Sequence, residues 1–329
     1  MSNCIETNIE TKNLLKYHIA YFDILGYKKY FNDEKQVNEF FNTICECFQE
    51  FFNIAKDINP SENTIPEKNH LKIKIYSDNF LVCISPFFGI NEKTFIGFIG
   101  FIAYLQNLLI IKYKILVRGG ITLGDLYIDD DFVFGDGLIK AVELEHKKAK
   151  TPRIIIDPDL FFRVTESDVT SNEKSEELGI IEFFKNRATN DEAEKHIIDN
   201  IIKKEEKDNF LYISYLCDLF YPKSKFANSQ HNNLELLDSY YAEHRRVIIK
   251  LIRENCYKKD FDSQKNINHD SLKEHQKNIL KYLWLIDYYN DFYKDYNSDY
   301  LIKFDRVTLS LYFHDVTYTI GINIINEEI

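Results

Sequence analysis

Two aspartates and one arginine stand at the ends of apolar segments of the sequence. Asp23 follows the apolar run at residues 18–22, and Asp78 follows the alternating run at residues 71–76. Carboxylates at the ends of neighbouring strands can share a hard divalent cation, which in turn takes phosphate oxygens. Arg118 precedes two glycines, which let a ligand approach the backbone, and its guanidinium suits a phosphate. Together the three residues predict chemistry on a phosphorylated substrate with bound divalent cations.

Each of these residues also has a plainer interpretation. An aspartate after a strand commonly caps a turn, and an arginine beside glycines can pair with a surface acid. For one aspartate alone, the turn is the better interpretation. The occurrence of both in this order favours a metal site at Asp23 and Asp78.

The predicted strands and helices must position these side chains. Apolar segments, mostly alternating, predict strands at residues 18–22, 71–76, 80–84, 114–123, 125–128, 153–157 and 210–216. Helices are predicted at residues 26–31, 37–51, 95–111, 135–150, 234–252 and 279–289, and a terminal hairpin at residues 301–325. Gly124 is expected to separate two of the strands. The order of the elements favours an α/β (α+β) fold with a ferredoxin-like palm.

The first long helix should bury one face. Its apolar residues recur at spacings of four and three, and they are Val37, Phe41, Ile44, Phe48 and Phe51. The spacing therefore predicts an amphipathic helix with these five side chains on its apolar face.

The apolar segment at residues 95–111 requires a check against a membrane span. It is shorter than the ~20 residues that cross a bilayer, and Gln106 and Asn107 interrupt it. We expect a helix that Thr94 caps, that lies beneath a sheet and that does not span a membrane.

The composition argues against some function classes. The chain of 329 residues has a formal net charge of −11, and duplex DNA and anionic membranes both select for basic surfaces. The six cysteines are scattered, so we expect reduced thiols in a cytoplasmic protein. The polar N-terminus does not contain the apolar segment of a signal peptide.

At the residues described above, the sequence resembles the catalytic domain of class III nucleotidyl cyclases. Residues 23–27 look like the first metal motif of that family, and residues 74–78 look like the second. Residues 118–124 resemble the Arg-x-Gly-Ile…Gly strand, and residues 134–145 resemble the helix that follows it. The order and spacing agree over roughly residues 17–157.

A closer likeness is to the pyrimidine cyclases of bacterial antiphage Pycsar systems. Three segments carry it, at residues 141–145, 152–154 and 281–285. The resemblance implies a ferredoxin-like palm of the class III nucleotidyl cyclase type with a C-terminal helical extension. The corresponding division of the chain is a flexible tail at residues 1–16, a catalytic domain at residues 17–222 and the extension at residues 223–329.

The resemblance implies two Mg²⁺ or Mn²⁺ ions, bound by the carboxylates of Asp23 and Asp78 and by the Ile24 carbonyl. In such a site one ion lowers the pKa of the 3′-hydroxyl, and both neutralise charge on the α-phosphate.

Phosphate contacts are expected just after the first aspartate. The backbone N–H groups of Leu25, Gly26 and Tyr27 would face the phosphates at the start of a helix, although Gly26 could simply permit a turn. The resemblance also implies that Arg118 contacts the polyphosphate.

Three residues are candidates for reading the base. Lys74 matches the base-selecting position of adenylyl cyclases, and its partner position falls near Phe132, which cannot make the expected polar contact. Tyr76 could line the base pocket or belong to the core. The resemblance implies active sites shared between the chains of a homodimer, and the four-residue separation of Lys74 from Asp78, ~13 Å along a strand, agrees with this.

One position departs from the family pattern. The helix that usually offers an Asn and a transition-state Arg shows Ile139 and Glu143 here. An acid cannot stabilise a developing phosphorane, so another cation must act or turnover must be slow. Lys140, Lys147 and Arg153 are candidates for that cation.

The expected function is conversion of UTP or CTP to a 3′,5′-cyclic nucleotide and pyrophosphate, made as an antiphage signal. The pyrimidine product and the biological role come from the resemblance. An adenylyl or guanylyl cyclase is an alternative, favoured for adenine by Lys74. A second alternative is a catalytically dead cyclase fold that binds a nucleotide or a partner, which Ile139 and Glu143 favour.

Overall fold

The structure is a computed structural model, and it describes residues 13–27, 33–57, 71–84, 92–160, 201–216, 230–256, 269–294, 301–311 and 316–325. Its strands are β1 (Leu15–Ile24), β2 (Leu71–Tyr76), β3 (Asn79–Ile84), β4 (Val117–Ile128), β5 (Val133–Phe134), β6 (Ile154–Ile156), β7 (Ile202–Lys204), β8 (Leu211–Ile213), β9 (Phe304–Leu311) and β10 (Val316–Ile324). Its helices are α1 (Glu34–Asp57), α2 (Glu92–Ile111), α3 (Asp136–Glu143), α4 (Gln230–Asn255) and α5 (His269–Tyr293). A π-helical turn (Leu144–Lys148) continues α3.

Eight strands form one sheet in the order β2-β3-β1-β4-β6-β8-β7, with β5 paired to the end of β4. Neighbouring strands are antiparallel except for β4 and β6. The fold is therefore mixed α+β with a mostly antiparallel sheet, which confirms the predicted class at that level. The predicted terminal hairpin is also present, as the separate pair β9–β10.

Helices α1 and α2 cover one face of the sheet and form its main core. The packing is aromatic at the centre, where Phe48 of α1 meets Phe80 of β3 with ring centroids 4.9 Å apart. Phe98 and Ile102 of α2 are fully buried in the same cluster, beside Phe22 of β1. The prediction that the apolar segment is a helix packed beneath a sheet is confirmed.

Helix α3 covers the opposite face and approaches β4 unusually closely. A Cβ atom on Gly124 would clash with the backbone of Gly137, and one on Gly120 would clash with Leu144. Two strand glycines therefore provide the space in which the helix lies. Ala141 is the small, fully buried residue on the facing side of α3.

The last two helices build a second apolar cluster against the sheet. Ile248 and Ile252 of α4 are buried in it, as are Ile279, Leu283, Ile286 and Tyr289 of α5. The predicted apolar faces are confirmed there, whereas the side chains of Leu234, Leu237 and Tyr241 lie outside the described residues. The Tyr288 hydroxyl of α5 accepts the backbone N–H of Leu216 at 2.9 Å, which joins α5 to the chain after β8.

Two strand predictions are wrong. Gly124 does not interrupt a strand, because β4 continues through it in register with Tyr17 of β1. A glycine that looks like a breaker in sequence serves here as the contact with α3. The strand predicted from residue 114 begins only at Val117, since Lys114 has a φ of 59°. The short strand β7 is not among the predicted strands.

The observed helices differ from the predicted ones in three details. Phe41 is 63% exposed, and its neighbour Phe40 packs against the core instead, so the buried face of α1 turns at its N-terminal end. Thr94 lies inside α2, which begins at Glu92. The helix predicted to residue 150 changes at Leu144 from α to π geometry.

The short helix predicted at residues 26–31 falls mostly outside the described residues. Among the described helices, α2 alone is long and apolar enough to cross a membrane, over Thr94–Ile111, and 67% of that stretch is buried inside the protein.

Candidate functional site

Asp23 and Arg118 face each other at the end of the β1–β4 pair. Arg118 Nε donates to Asp23 Oδ2 at 2.9 Å, and both side chains are mostly buried, with 21% of Arg118 and 17% of Asp23 exposed. Asp23 lies on the α3 side of the sheet, because it alternates with Tyr21 and Ile19, which pack there. The predicted metal-binding acid and the predicted phosphate-binding arginine are thus joined in one ion pair.

Asp78 lies in the tight turn between β2 and β3, beside Asp23. The turn is tied to β1 because the Ile24 N–H donates to the Asp78 carbonyl at 2.8 Å. Asn79, which is paired with Asp23 across the strands, donates its side-chain amide to Asp78 Oδ1 at 3.1 Å. The two aspartates therefore come together at the same end of the central strands.

The electrostatics of Asp23 reflect this crowding. Burial raises the pKa of its carboxyl above the ordinary value, and the negative charge of Asp78 raises it further. The hydrogen bond and charge of Arg118 act in the opposite direction, as does the more distant charge of Lys281. A further cation between the two aspartates would stabilise their charged forms.

Arg118 is held on its other side by the end of α3. Its Nη2 lies 2.8 Å from Glu145 Oε1, and its Nη1 donates to the Ala149 carbonyl at 3.3 Å. Glu145 is the second residue of the π-helical turn, and Ala149 is the residue just after it. The guanidinium therefore joins two other segments of the chain, β1 at Asp23 and the end of α3 at Glu145 and Ala149.

Glu145 is a site residue to which the sequence interpretation gave no role. It is buried, and burial raises the pKa of its carboxyl to about 7, although Arg118 lowers it and Asp23 raises it. A signal for it was present. Gly137, Ala141 and Glu145 recur every four residues, so an acid stands on the stripe of small residues that faces the sheet.

The structure changes the interpretation of the phosphate-binding backbone. The Leu25 N–H donates to the Leu116 carbonyl at 2.8 Å, so a phosphate would have to replace this backbone hydrogen bond, and the role of Leu25 stays a prediction. Gly26 has a φ of 74°, a left-handed conformation that glycine adopts without strain. The Tyr27 hydroxyl hydrogen-bonds Ser77 Oγ at 2.6 Å, which adds a second tie between β1 and the Asp78 turn.

The proposed base-reading residues lie apart from the Asp23–Arg118 pair. Lys74 Nζ donates to the Asp130 carbonyl at 2.9 Å, on the turn that also carries the exposed Phe132. Tyr76 is half-exposed at the end of β2. The separation of Lys74 from Asp78 is not that of a single strand, because β2 ends at Tyr76 and the chain then turns back.

The two α3 positions that depart from the family pattern point outward. Ile139 is 62% exposed, and exposed Glu143 pairs with Lys147 at 2.8 Å. The candidate cations already have acidic partners, since Lys140 pairs with Asp136 and Arg153 with Asp208, in the same way that Lys147 pairs with Glu143. Their described ion pairs are therefore with acids other than Asp23 and Asp78.

A different cation interacts with the ion pair through its charge. Lys281 of α5 interacts electrostatically with Arg118 and with Asp23, and burial together with the Arg118 charge lowers the pKa of its amine. The C-terminal extension therefore contributes to the surroundings of the site. The sequence interpretation used residues 281–285 only as part of a resemblance.

The donor types at the site fit a hard cation. Asp23 and Asp78 offer carboxylate oxygens, of which Asp23 Oδ2 is taken by Arg118. Within the described ranges, His, Cys, Asp and Glu side chains form no group of three or more that could hold a metal. A cation here would therefore rely on this carboxylate pair with backbone or substrate oxygens, which suits Mg²⁺ or Mn²⁺. The role predicted for the Ile24 carbonyl stays a prediction.

No protein-family model matches the chain, and a search of curated proteins found no significant match.

Proposed function

We propose that the protein is a nucleotidyl cyclase that converts a ribonucleoside triphosphate to a 3′,5′-cyclic monophosphate and pyrophosphate. The proposal rests on the proximity of Asp23, Asp78 and Arg118 at one end of the central strands. Two carboxylates suited to a divalent cation and one cation suited to phosphate are the elements that phosphoryl transfer needs.

The topology supports the finer fold proposal, a ferredoxin-like palm of the class III cyclase type. The first four long strands lie in the order β4-β1-β3-β2 and are all antiparallel, with α1 and α2 on one face. This order follows from two βα units that insert their strands between one another. Both aspartates then stand at the same end of the central strands.

The residues of the chain have distinct roles in the proposed reaction. Arg118 exchanges its Asp23 contact for phosphate oxygens, while Glu145 and the Ala149 carbonyl keep the guanidinium at the site. Asp23 and Asp78 would hold the Mg²⁺ or Mn²⁺ ions, which activate the 3′-hydroxyl and offset charge on the phosphates. The β2–β3 turn fixes Asp78 next to Asp23 and so limits the reorganisation needed on binding.

The substrate, the biological role and the assembly are further parts of the proposal. UTP or CTP as substrate and an antiphage signal as product follow from the resemblance to the pyrimidine cyclases. A homodimer with shared sites is supported by large apolar side chains exposed on β2, β5, α3 and the turn before β5, namely Tyr76, Phe132, Phe134 and Ile139. A cytoplasmic location is proposed from the scattered cysteines.

One observation favours a rival function, a cyclase fold that binds a nucleotide or a partner without turnover. Arg118 is satisfied by Asp23 and Glu145 and does not need a ligand to complete its contacts. In the rival, this network would be a structural feature of the sheet edge.

Product analysis separates the two functions. The purified protein should be incubated with all four ribonucleoside triphosphates and Mn²⁺, and the products identified by mass spectrometry. We expect a cyclic nucleotide, with a rate per chain that falls on dilution because two chains share each site. Asp78→Asn should reduce the rate on the order of 10³-fold, since ion-held charge contributes several kcal/mol.

The control is Asp305→Asn, which changes an exposed aspartate on β9 outside the site. It should retain the wild-type rate. Product formation that survives Asp78→Asn would refute the metal-dependent mechanism, and nucleotide binding without any product would support the rival.

A further inference from the structure

The apolar cluster of α4 and α5 extends to the strand ends that carry the ion pair. Leu25 follows Asp23 by two residues, Leu116 precedes Arg118 by two, and both belong to the apolar cluster formed by α4 and α5. Leu285 of α5 is fully buried in that cluster. The C-terminal extension is therefore continuous with the backbone that supports the candidate site.

Lys281 lies one helical turn before Leu285 on α5. Residues four apart lie on the same side of a helix, so the Lys281 stem runs along the surface that packs toward the sheet. Its side chain is partly buried, and its Nζ donates to Asn278 Oδ1 at 3.0 Å, so its described hydrogen bond is to a neutral group. This arrangement differs from that of Lys277, one turn earlier, which is exposed and pairs with Glu274 at 3.7 Å.

The charge environment of Lys281 is unusual for a structural lysine. The Arg118 guanidinium and the Lys277 ammonium repel the Lys281 ammonium, while the carboxylates of Glu274 and Asp23 attract it. A long lysine side chain at a protein surface ordinarily extends its charge into water. A partly buried ammonium near an arginine gains when a strongly anionic group binds between the two cations.

We propose that Lys281 is a phosphate-binding residue, which acts with Arg118 on the polyphosphate of the substrate and supplies the cation missing from α3. This inference rests on the proposed function. It assigns a catalytic-site role to the C-terminal extension, which contributes Lys281 from the same chain as Asp23 and Arg118. Ile139 and Glu143 then need no cationic replacement on α3 itself.

The test measures binding first, without turnover. Inorganic tripolyphosphate is the probe, titrated into the full-length protein by calorimetry in the absence of divalent cations. Lys281→Met keeps the length and apolar stem of the side chain but removes the charge, and it should weaken binding about 10- to 100-fold. Lys281→Arg should restore most of the affinity. The matched control is Lys277→Met, one turn earlier on α5, where the side chain is exposed; this variant should bind as the wild type does.

Turnover is measured on the same variants. If the wild type forms a cyclic nucleotide, Lys281→Met should lower kcat/KM by a similar factor, with recovery in Lys281→Arg. Equal tripolyphosphate affinity in wild type and Lys281→Met would overturn the inference even if the cyclase is active. Weaker binding in Lys281→Met with no product from the wild type would support Lys281 as a phosphate ligand and refute the proposed function.

A loss of folding is detected separately. Thermal unfolding of Lys281→Met should match that of Lys277→Met. Should Lys281→Met unfold early, the pair Lys281→Gln and Lys281→Arg decides the question, because both retain a polar end and only the second retains the charge. Equal affinity in that pair would contradict the proposal.

Discussion

The two faces of the sheet are covered in different ways, and the candidate site lies on the more thinly covered one. Helices α1 and α2 bury one face with large apolar side chains such as Phe48, Phe51 and Phe98. The other face carries the short helix α3, which lies on glycines and leaves space at the strand ends for Asp23 and Arg118. The first face contributes to stability through apolar burial, and the second allows charged groups to remain near the surface.

The largest expected effect is on the face covered by α1 and α2. Phe98→Ala removes a fully buried aromatic ring, and it should lower the free energy of unfolding by about 3–5 kcal/mol. Turnover per folded molecule should change little, because Phe98 points away from the site. Chemical denaturation and initial rates at low temperature measure the two effects.

Phe41→Ala is the matched control, since it makes the same change at an exposed position of α1. It should alter stability by less than about 0.5 kcal/mol. Comparable losses for the two variants would show that the burial difference between the two positions does not govern stability.

An intermediate effect is expected on the α3 face. Gly120→Ala places a methyl group against Leu144 and the Ala141 carbonyl, so α3 must move away from β4. Overpacking of this kind costs about 1–3 kcal/mol of stability. The rate should fall by more than stability explains, because the shift also moves Glu145 away from Arg118. Retained activity in a stable Gly120→Ala protein would indicate that the close approach of α3 is not needed by the site.

The smallest effect concerns the charge of Glu145. Its pKa in the folded protein is about 7, above the ordinary value of 4.5, so the folded protein binds more protons than the unfolded chain between these values. The Glu145 contribution to stability is therefore greatest below about pH 4.5 and is lost as the pH rises through about 7.

Glu145→Gln removes that dependence. The variant should gain stability relative to the wild type by up to about 2 kcal/mol as the pH is raised from 5 to 8. Parallel denaturation series at several pH values measure this difference. A constant difference across the range would mean that Glu145 titrates normally in the folded protein. The same substitution of Glu143, which is exposed and paired with Lys147, serves as the control.

Much of the fold around the aspartates could be predicted from local pattern. The β1 strand, the β2–β3 hairpin and its acidic tip follow from apolar alternation interrupted by Ser77 and Asp78. The break predicted at Gly124 failed because the same residue type serves turns and close packing. Only the position of α3 distinguishes the two uses, and that position is a tertiary contact.

The candidate-site residues at the ends of strands could be predicted from the sequence. The residues that other elements bring to the site could not be assigned to it. Glu145 and Lys281 belong to the π-helical turn after α3 and to α5. The spacing of Glu145 places it on the sheet-facing side of its helix, but nothing in the immediate sequence of either residue specifies Arg118 as its partner. Phe41 illustrates the same limit, because the helical spacing allowed it to be buried while the packing of α1 on the sheet buried Phe40 instead.

The Asp23–Arg118 pair has a consequence for how the chain folds. The two residues are 95 positions apart in sequence, and β1 lies between β3 and β4, both of which follow it in the chain. Strand β1 is therefore synthesised before both of its partners and cannot complete its pairing until they have been made. Pairings of such high sequence separation form late and slowly. The site therefore appears only when the central sheet is complete, so partly folded chains have neither the assembled aspartates nor the oriented arginine.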